Sequence, residues 1–155
     1  MTKDGMPTMV DVSGKSITHR KAHARATIIL PQEVAALIDH EKGEIFGKKG
    51  AVFVTAKIAG TMGAKKTSDL IPFCHPIPIE NVEVDIAIKD KSTVIIDCHV
   101  ATTGKTGIEM EALQGATQAS LCVYDMLKAI SHEIVIKDIR LMAKSGGKSL
   151  YTSKE

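Results

Sequence analysis

The chain has 155 residues, 44% hydrophobic and 25% charged, the balance of one globular domain rather than of a disordered or fibrous chain. Its formal charge of +2 is too small to mark a nucleic-acid or membrane surface, and no apolar run approaches the roughly 18 residues a membrane helix needs. The cysteines are odd in number and the opening MTKDGMPTMVDV has no apolar leader core, so free thiols and a cytoplasmic location are expected.

Residues 1–21 are polar and basic with no sustained period, which predicts a mobile arm, loosest over 1–12. HARATIIL (23–30) reads as a strand. Pro31 suits a first helical turn, and Val34, Leu37 and Ile38 share one face of a short helix ending near Asp39. Residues 39–50 form a charged, glycine-punctuated loop. AVFVTAKIAGTMGAKK (51–66) opens like a strand, but its alanines and the Phe53, Ala56, Gly60 spacing predict a helix. VEVDIAI (82–88) alternates cleanly, KDKS turns the chain, and TVIIDCHVAT (93–102) returns as its hairpin partner. Residues 108–131 carry apolar side chains near a 3.6 period and make the longest helix. EIVIKDIRLMA (133–143) is a last strand before a tail, 146–155, expected to be mobile. The order contains a βαββαβ set: a ferredoxin-like α+β fold with one additional helix, its antiparallel sheet covered by helices on one face. No linker divides it, so residues 1–155 are expected to form one domain.

LIPFCHPIPI (70–79) holds three prolines around Cys74 and His75. Proline fixes its own φ and restricts the residue before it, so Ile71, His75 and Ile77 have little freedom and His75 is held in one direction. From the residues alone His75 remains open between a structural hydrogen-bonder and a functional group. The pairs Cys74-His75 and Cys98-His99 suggest a metal, but adjacent side chains on an extended chain point to opposite faces, so no metal site is expected. Cys98 and Cys122 read as buried structural thiols, and Cys74 as a packed loop thiol.

TTGKTG (102–107) matches the end of a phosphate loop, yet the position of the leading glycine is occupied by His99. A glycine-rich turn feeding a long helix still attracts anions, and a hairpin exit with a helix cap explains it equally well. Glu109 and Glu111 occupy the first turn of that helix, while Asp125 and Lys128 share a face near its other end. Roughly 21 Å of helix, at about 1.5 Å per residue, separates Glu111 from Asp125. One small substrate cannot easily touch both within a subunit, so sites built from them are separate or shared between neighbouring chains. Lys49, Lys65, Lys66, Lys105, Lys128, Lys144 and Lys148 each read alone as surface lysines. Several sit in glycine-rich turns, the arrangement of a polyphosphate pocket. Aromatics are only 3%, too few for the stacking surface of an RNA-reading sheet, so a nucleotide-sized anion is the better partner.

MVDVSGK, KKTSDLIPFCHPIPI, TGKTGIEMEALQGA, YDMLKAI and LMAKSGGKS, together spanning about residues 9 to 149, resemble the cyclic pyranopterin monophosphate synthases of molybdenum cofactor biosynthesis. The resemblance implies a ferredoxin-like subunit in a homohexamer, a trimer of dimers, with active sites between subunits. It implies a lyase that converts a 3′,8-cyclo-dihydro-GTP into cyclic pyranopterin monophosphate and pyrophosphate. By the same motifs, Asp125 corresponds to the catalytic aspartate and Lys49 and Lys128 to lysines at the reacting centre. Phe73, Cys74, His75, Met110 and Glu111 correspond to substrate contacts, and Arg20, Lys144 and Lys148 to triphosphate contacts. Ala51 stands where the family often has an acidic residue, so Lys48 is the alternative to Lys49. No tightly bound cofactor is implied beyond magnesium accompanying the triphosphate. A rival of another class, a non-catalytic oligomeric nucleotide sensor, would need the lysines but not Asp125.

Overall fold

The computed structural model describes residues 4–154. Its elements are β1 (Thr18–Ile29), α1 (Gln32–Ala35), β2 (Ile38–Asp39), β3 (Glu44–Gly47), β4 (Gly50–Ala51), α2 (Val52–Lys65), α3 (Thr67–Leu70), β5 (Asn81–Ile88), β6 (Thr93–Gly104), α4 (Glu109–Leu127), β7 (Val135–Ser145) and β8 (Tyr151–Thr152). The main sheet is antiparallel with strand order β5-β6-β1-β7-β8, and β2, β3 and β4 make a small second sheet. β1, α2, β5, β6, α4 and β7 form the ferredoxin-like βαββαβ unit, with both long helices on one face of the sheet.

Period-two alternation decides which side of each strand is buried. Ala22, Ala24, Ala26 and Ile28 of β1 and Val94, Ile96, Cys98 and Val100 of β6 face the helices and are buried. Small alanines down the central strand let α4 lie close to the sheet. The helices themselves meet at glycines of α2: a Cβ on Gly60 would come 3.0 Å from the Gly115 carbonyl oxygen and one on Gly63 would come 2.5 Å from Cβ of Gln118, so the crossing of α2 over α4 depends on both. Where α4 lies on the sheet, a Cβ on Gly115 would come 2.5 Å from Sγ of Cys98 in β6. The other face of the sheet is polar. There the His23 and His99 rings stack at 4.0 Å, and Asp97 accepts hydrogen bonds from His23 and Arg25.

Several elements differ from the sequence expectations. β1 begins at Thr18, five residues before the apolar run, because its outer positions face the polar side of the sheet and give no apolar signal. The helix expected over 31–39 is the single turn α1; Leu37 is exposed while Ile38 is buried as part of β2. The expected loop at 39–50 holds the β3–β4 hairpin, whose Glu44 is buried and caps α2 by accepting from the backbone N–H groups of Phe53 (2.7 Å) and Val54 (3.0 Å). α4 ends at Leu127 rather than near residue 131, since Leu127 is its last buried residue and Lys128, Ala129 and Ile130 project into solvent. In the tail, Tyr151 and Thr152 pair with Lys144 and Ala143. Of the arm expected over residues 1–12, residues 1–3 lie outside the described residues.

Candidate active site

Three groups of side chains hold the sequence-predicted positions, and α4 positions two of them at its opposite ends. At its C-terminal end Asp125 accepts from Lys49 at 2.7 Å and from Lys128 at 2.8 Å. Lys128 reaches Asp125 one helical turn back as the C-capping residue, where a cation also suits the helix dipole. Lys49 arrives from the tip of the β3–β4 hairpin, and it is Lys49 that donates to Asp125. The two lysines, Lys128 first, hold the Asp125 carboxyl down at about 2, and Asp125 in turn raises Lys128. All three side chains are about half exposed in one copy of the chain (57%, 51% and 49% for Lys49, Asp125 and Lys128). In this setting Lys128 is not tuned towards neutral pH. Desolvation by something that covers the cluster would be needed for that.

At the other end of α4 lies a cleft of about 420 Å³. The proline-stiffened segment supplies Phe73, Cys74 and His75, and the first turn of α4 supplies Met110 and Glu111. Val10, Val12 and Lys15 of the N-terminal arm complete its wall, and Lys105 ties the arm down by donating to the Ser13 carbonyl oxygen at 2.7 Å. Glu111 is 3% exposed. Burial raises its carboxyl, and neighbouring Glu109 pushes the same way against an opposing backbone hydrogen bond. Burial, then Glu111, raises the Cys74 thiol, so it is not an activated thiolate. Cys98 is fully buried and pushed up to about 12, as an inert core thiol should be; burial also raises Cys122, which is partly exposed.

Adjoining the cleft is a pocket of about 210 Å³ lined by Lys15, Arg20, Lys144 and Lys148, with Lys15, Gly107 and Glu109 common to both. Arg20 is fixed by donating from Nε to the Gly104 carbonyl oxygen at 2.9 Å. The SGG turn is shaped by Gly146, whose φ of 85° favours glycine, and is pinned where Thr18 donates to the Gly146 carbonyl oxygen at 2.7 Å. Lys144 donates to Glu109 Oε1 at 2.8 Å. Burial alone would raise the Glu109 carboxyl, but the hydrogen bond from Lys144 and the nearby Lys144 and Arg20 charges hold it below the usual carboxylate range.

The structure therefore unites Phe73, Cys74, His75, Met110 and Glu111, sets Arg20, Lys144 and Lys148 beside them, and leaves Lys49, Asp125 and Lys128 at the far end of α4. Sequence reasoning gave no role to Lys15 or to the pairing of Glu109 with Lys144. Lys15 lies inside the MVDVSGK motif, which was the available signal; the Glu109 pairing spans 35 residues and had none. Among the described residues no three His, Cys, Asp or Glu side chains are placed to share a metal ion, and no helix is long and apolar enough to cross a membrane.

Comparison with known proteins places these residues in context. The profile of the MoaC family matches residues 9–147. "Molybdenum cofactor biosynthesis protein 1" of Dictyostelium discoideum is 52% identical over 96% of this chain, which spans 26% of that protein. "Cyclic pyranopterin monophosphate synthase" of Xanthomonas oryzae is 48% identical over 93% of this chain and 86% of its own length. "Molybdenum cofactor biosynthesis bifunctional protein" of Synechocystis is 47% identical over 96% of this chain and 44% of its own.

Proposed function

The chain belongs to the MoaC family, and from that premise we propose that it is a lyase of molybdenum cofactor biosynthesis, a cyclic pyranopterin monophosphate synthase. Its substrate is a 3′,8-cyclo-dihydro-GTP and its products are cyclic pyranopterin monophosphate and pyrophosphate. The observation that carries this reading is the adjoining of a cleft with a buried carboxyl to a cation-lined pocket, one suited to a purine and the other to its triphosphate. A volume near 420 Å³ for the first is within the usual range of small-molecule sites, about 300–1,000 Å³.

In this scheme Glu111 bonds the guanine edge, and His75, held by its prolines, polarises the base or a ring oxygen. Arg20, Lys144 and Lys148 neutralise the charge that grows on the leaving pyrophosphate as a ribose hydroxyl attacks the α-phosphorus. Lys49 and Lys128 move protons during ring opening, with Asp125 orienting both lysines and keeping Lys128 charged until it is needed. The pocket presents cations and one carboxylate already paired with Lys144, so a magnesium ion would be held by the triphosphate and not by a carboxylate cage of the protein.

The chain acts as an assembly of copies, a homohexamer made of three dimers, with Lys49, Asp125 and Lys128 of one copy meeting the substrate held by another. Two observations support this. The clusters stand at opposite ends of α4, and α2 exposes Val54, Ile58 and Met62 at helical spacing, an apolar stripe that a neighbouring copy would cover. A sensor has no need of the doubly paired Asp125.

The test is to supply the cyclised GTP precursor and assay pyrophosphate and a pterin product. Lys128→Ala should lower turnover by about 100-fold or more while the protein still binds substrate. Absence of product from the unaltered protein overturns the reading, and normal activity in Lys128→Ala removes that lysine from the chemistry.

A further inference from the structure

The pairing of Glu109 with Lys144 puts a negative charge inside a pocket whose other charged lining residues are all cations. Glu109 lines both the cleft and the cation pocket, so it stands at their junction, where the sugar end of a nucleotide would pass into its phosphates. Its carboxylate is folded back over Gly107 so closely that a methyl group at that position would overlap it. The pair is partly exposed, 25% for Glu109 and 31% for Lys144, so the ion pair can open without unpacking the core.

A phosphate oxygen that binds Lys144 must either displace this carboxylate or sit beside it, and two anions sharing one ammonium repel each other strongly where water is partly excluded. We propose that Glu109 is a built-in competitor for the phosphate pocket: it holds Lys144 in place when the pocket is empty and yields it to an incoming polyphosphate. The carboxylate returns to Lys144 as pyrophosphate leaves. Glu109 is thus a positioning residue, and it weakens anion binding so that the product can depart. Its substrate class is that of the proposed lyase, and the inference rests on that reading of the pocket.

The two can be separated by calorimetric titration with inorganic tripolyphosphate at fixed salt. Lys148→Ala tests the pocket and should bind more weakly than the unaltered protein. Glu109→Gln removes the competing charge and nearly preserves shape; it should bind tripolyphosphate about tenfold tighter or more, with a similar gain for pyrophosphate. Glu109→Asp, which keeps the charge, should restore the weaker binding. A carboxylate that merely orients Lys144 gives the opposite result: equal or weaker binding in Glu109→Gln overturns the competitor role while leaving the pocket intact. Failure of both the unaltered protein and Glu109→Gln to bind tripolyphosphate overturns the pocket and the competitor together.

Discussion

Asp125 accepts hydrogen bonds from two lysines that reach it by different routes, Lys128 from one turn along the same helix and Lys49 across 76 residues of sequence. With its carboxyl at about 2, Asp125 is ionised throughout the range in which an enzyme works, so it does not set the acid limb of a pH–rate profile. Its effect falls on Lys128, whose ammonium form it favours. Replacing the charge with an amide in Asp125→Asn removes that support, so the Lys128 titration should move to lower pH. Carbon-detected NMR of side-chain-labelled lysine would follow it, and an unmoved or raised midpoint would show that the contact is not made in solution. At this scale the sequence was informative in one half only. The i, i+3 spacing displayed the Asp125–Lys128 pair directly. The place of Lys49 beside them was available only through family resemblance, because no local periodicity ties a hairpin tip to the end of a distant helix.

Elements were legible where one face is buried and the other is not. The alternation of β5 and β6 and the long apolar period of α4 appear in the structure near their expected places. The two-residue strands of the small sheet are too short to show a period, and the start of β1 alternates polar with polar. α2 was the ambiguous segment, and what decides it is packing: Phe53, Ala56, Gly60 and Gly63 form the buried side that meets α4. A close approach of α4 to β6 yields a prediction. Gly115→Ala places a methyl group 2.5 Å from Sγ of Cys98 and should destabilise the protein by about 1–3 kcal/mol in urea unfolding. Cys98→Ala removes the obstructing sulfur, so the double variant should lose less than the sum of the two single losses. Strict additivity would mean that the clash is relieved elsewhere.

At the scale of the molecule, charge and composition favoured a nucleotide-sized anion over nucleic acid as a partner but gave no sign of how copies would meet. The exposed stripe on α2 is one place to look: Val54, Ile58 and Met62 are 55%, 59% and 60% exposed. Ile58→Glu should reduce the assembly size seen by sedimentation and lower turnover together, while circular dichroism shows the fold retained. Loss of neither would place the contact elsewhere on the surface, the polar sheet face around His23 and His99 being the next candidate.

If each centre draws on the two ends of α4 from different copies, as proposed, a lesion at either end disables a different partner's work. Two impaired proteins, Lys128→Ala and Lys148→Ala, assayed at low substrate, should therefore complement each other when unfolded together and refolded as equal mixtures. In each hybrid pair one reaction centre collects both defects and the other collects none, so about a quarter of all centres should regain turnover after random mixing. Such recovery from two impaired parents cannot arise if every centre is built from a single chain.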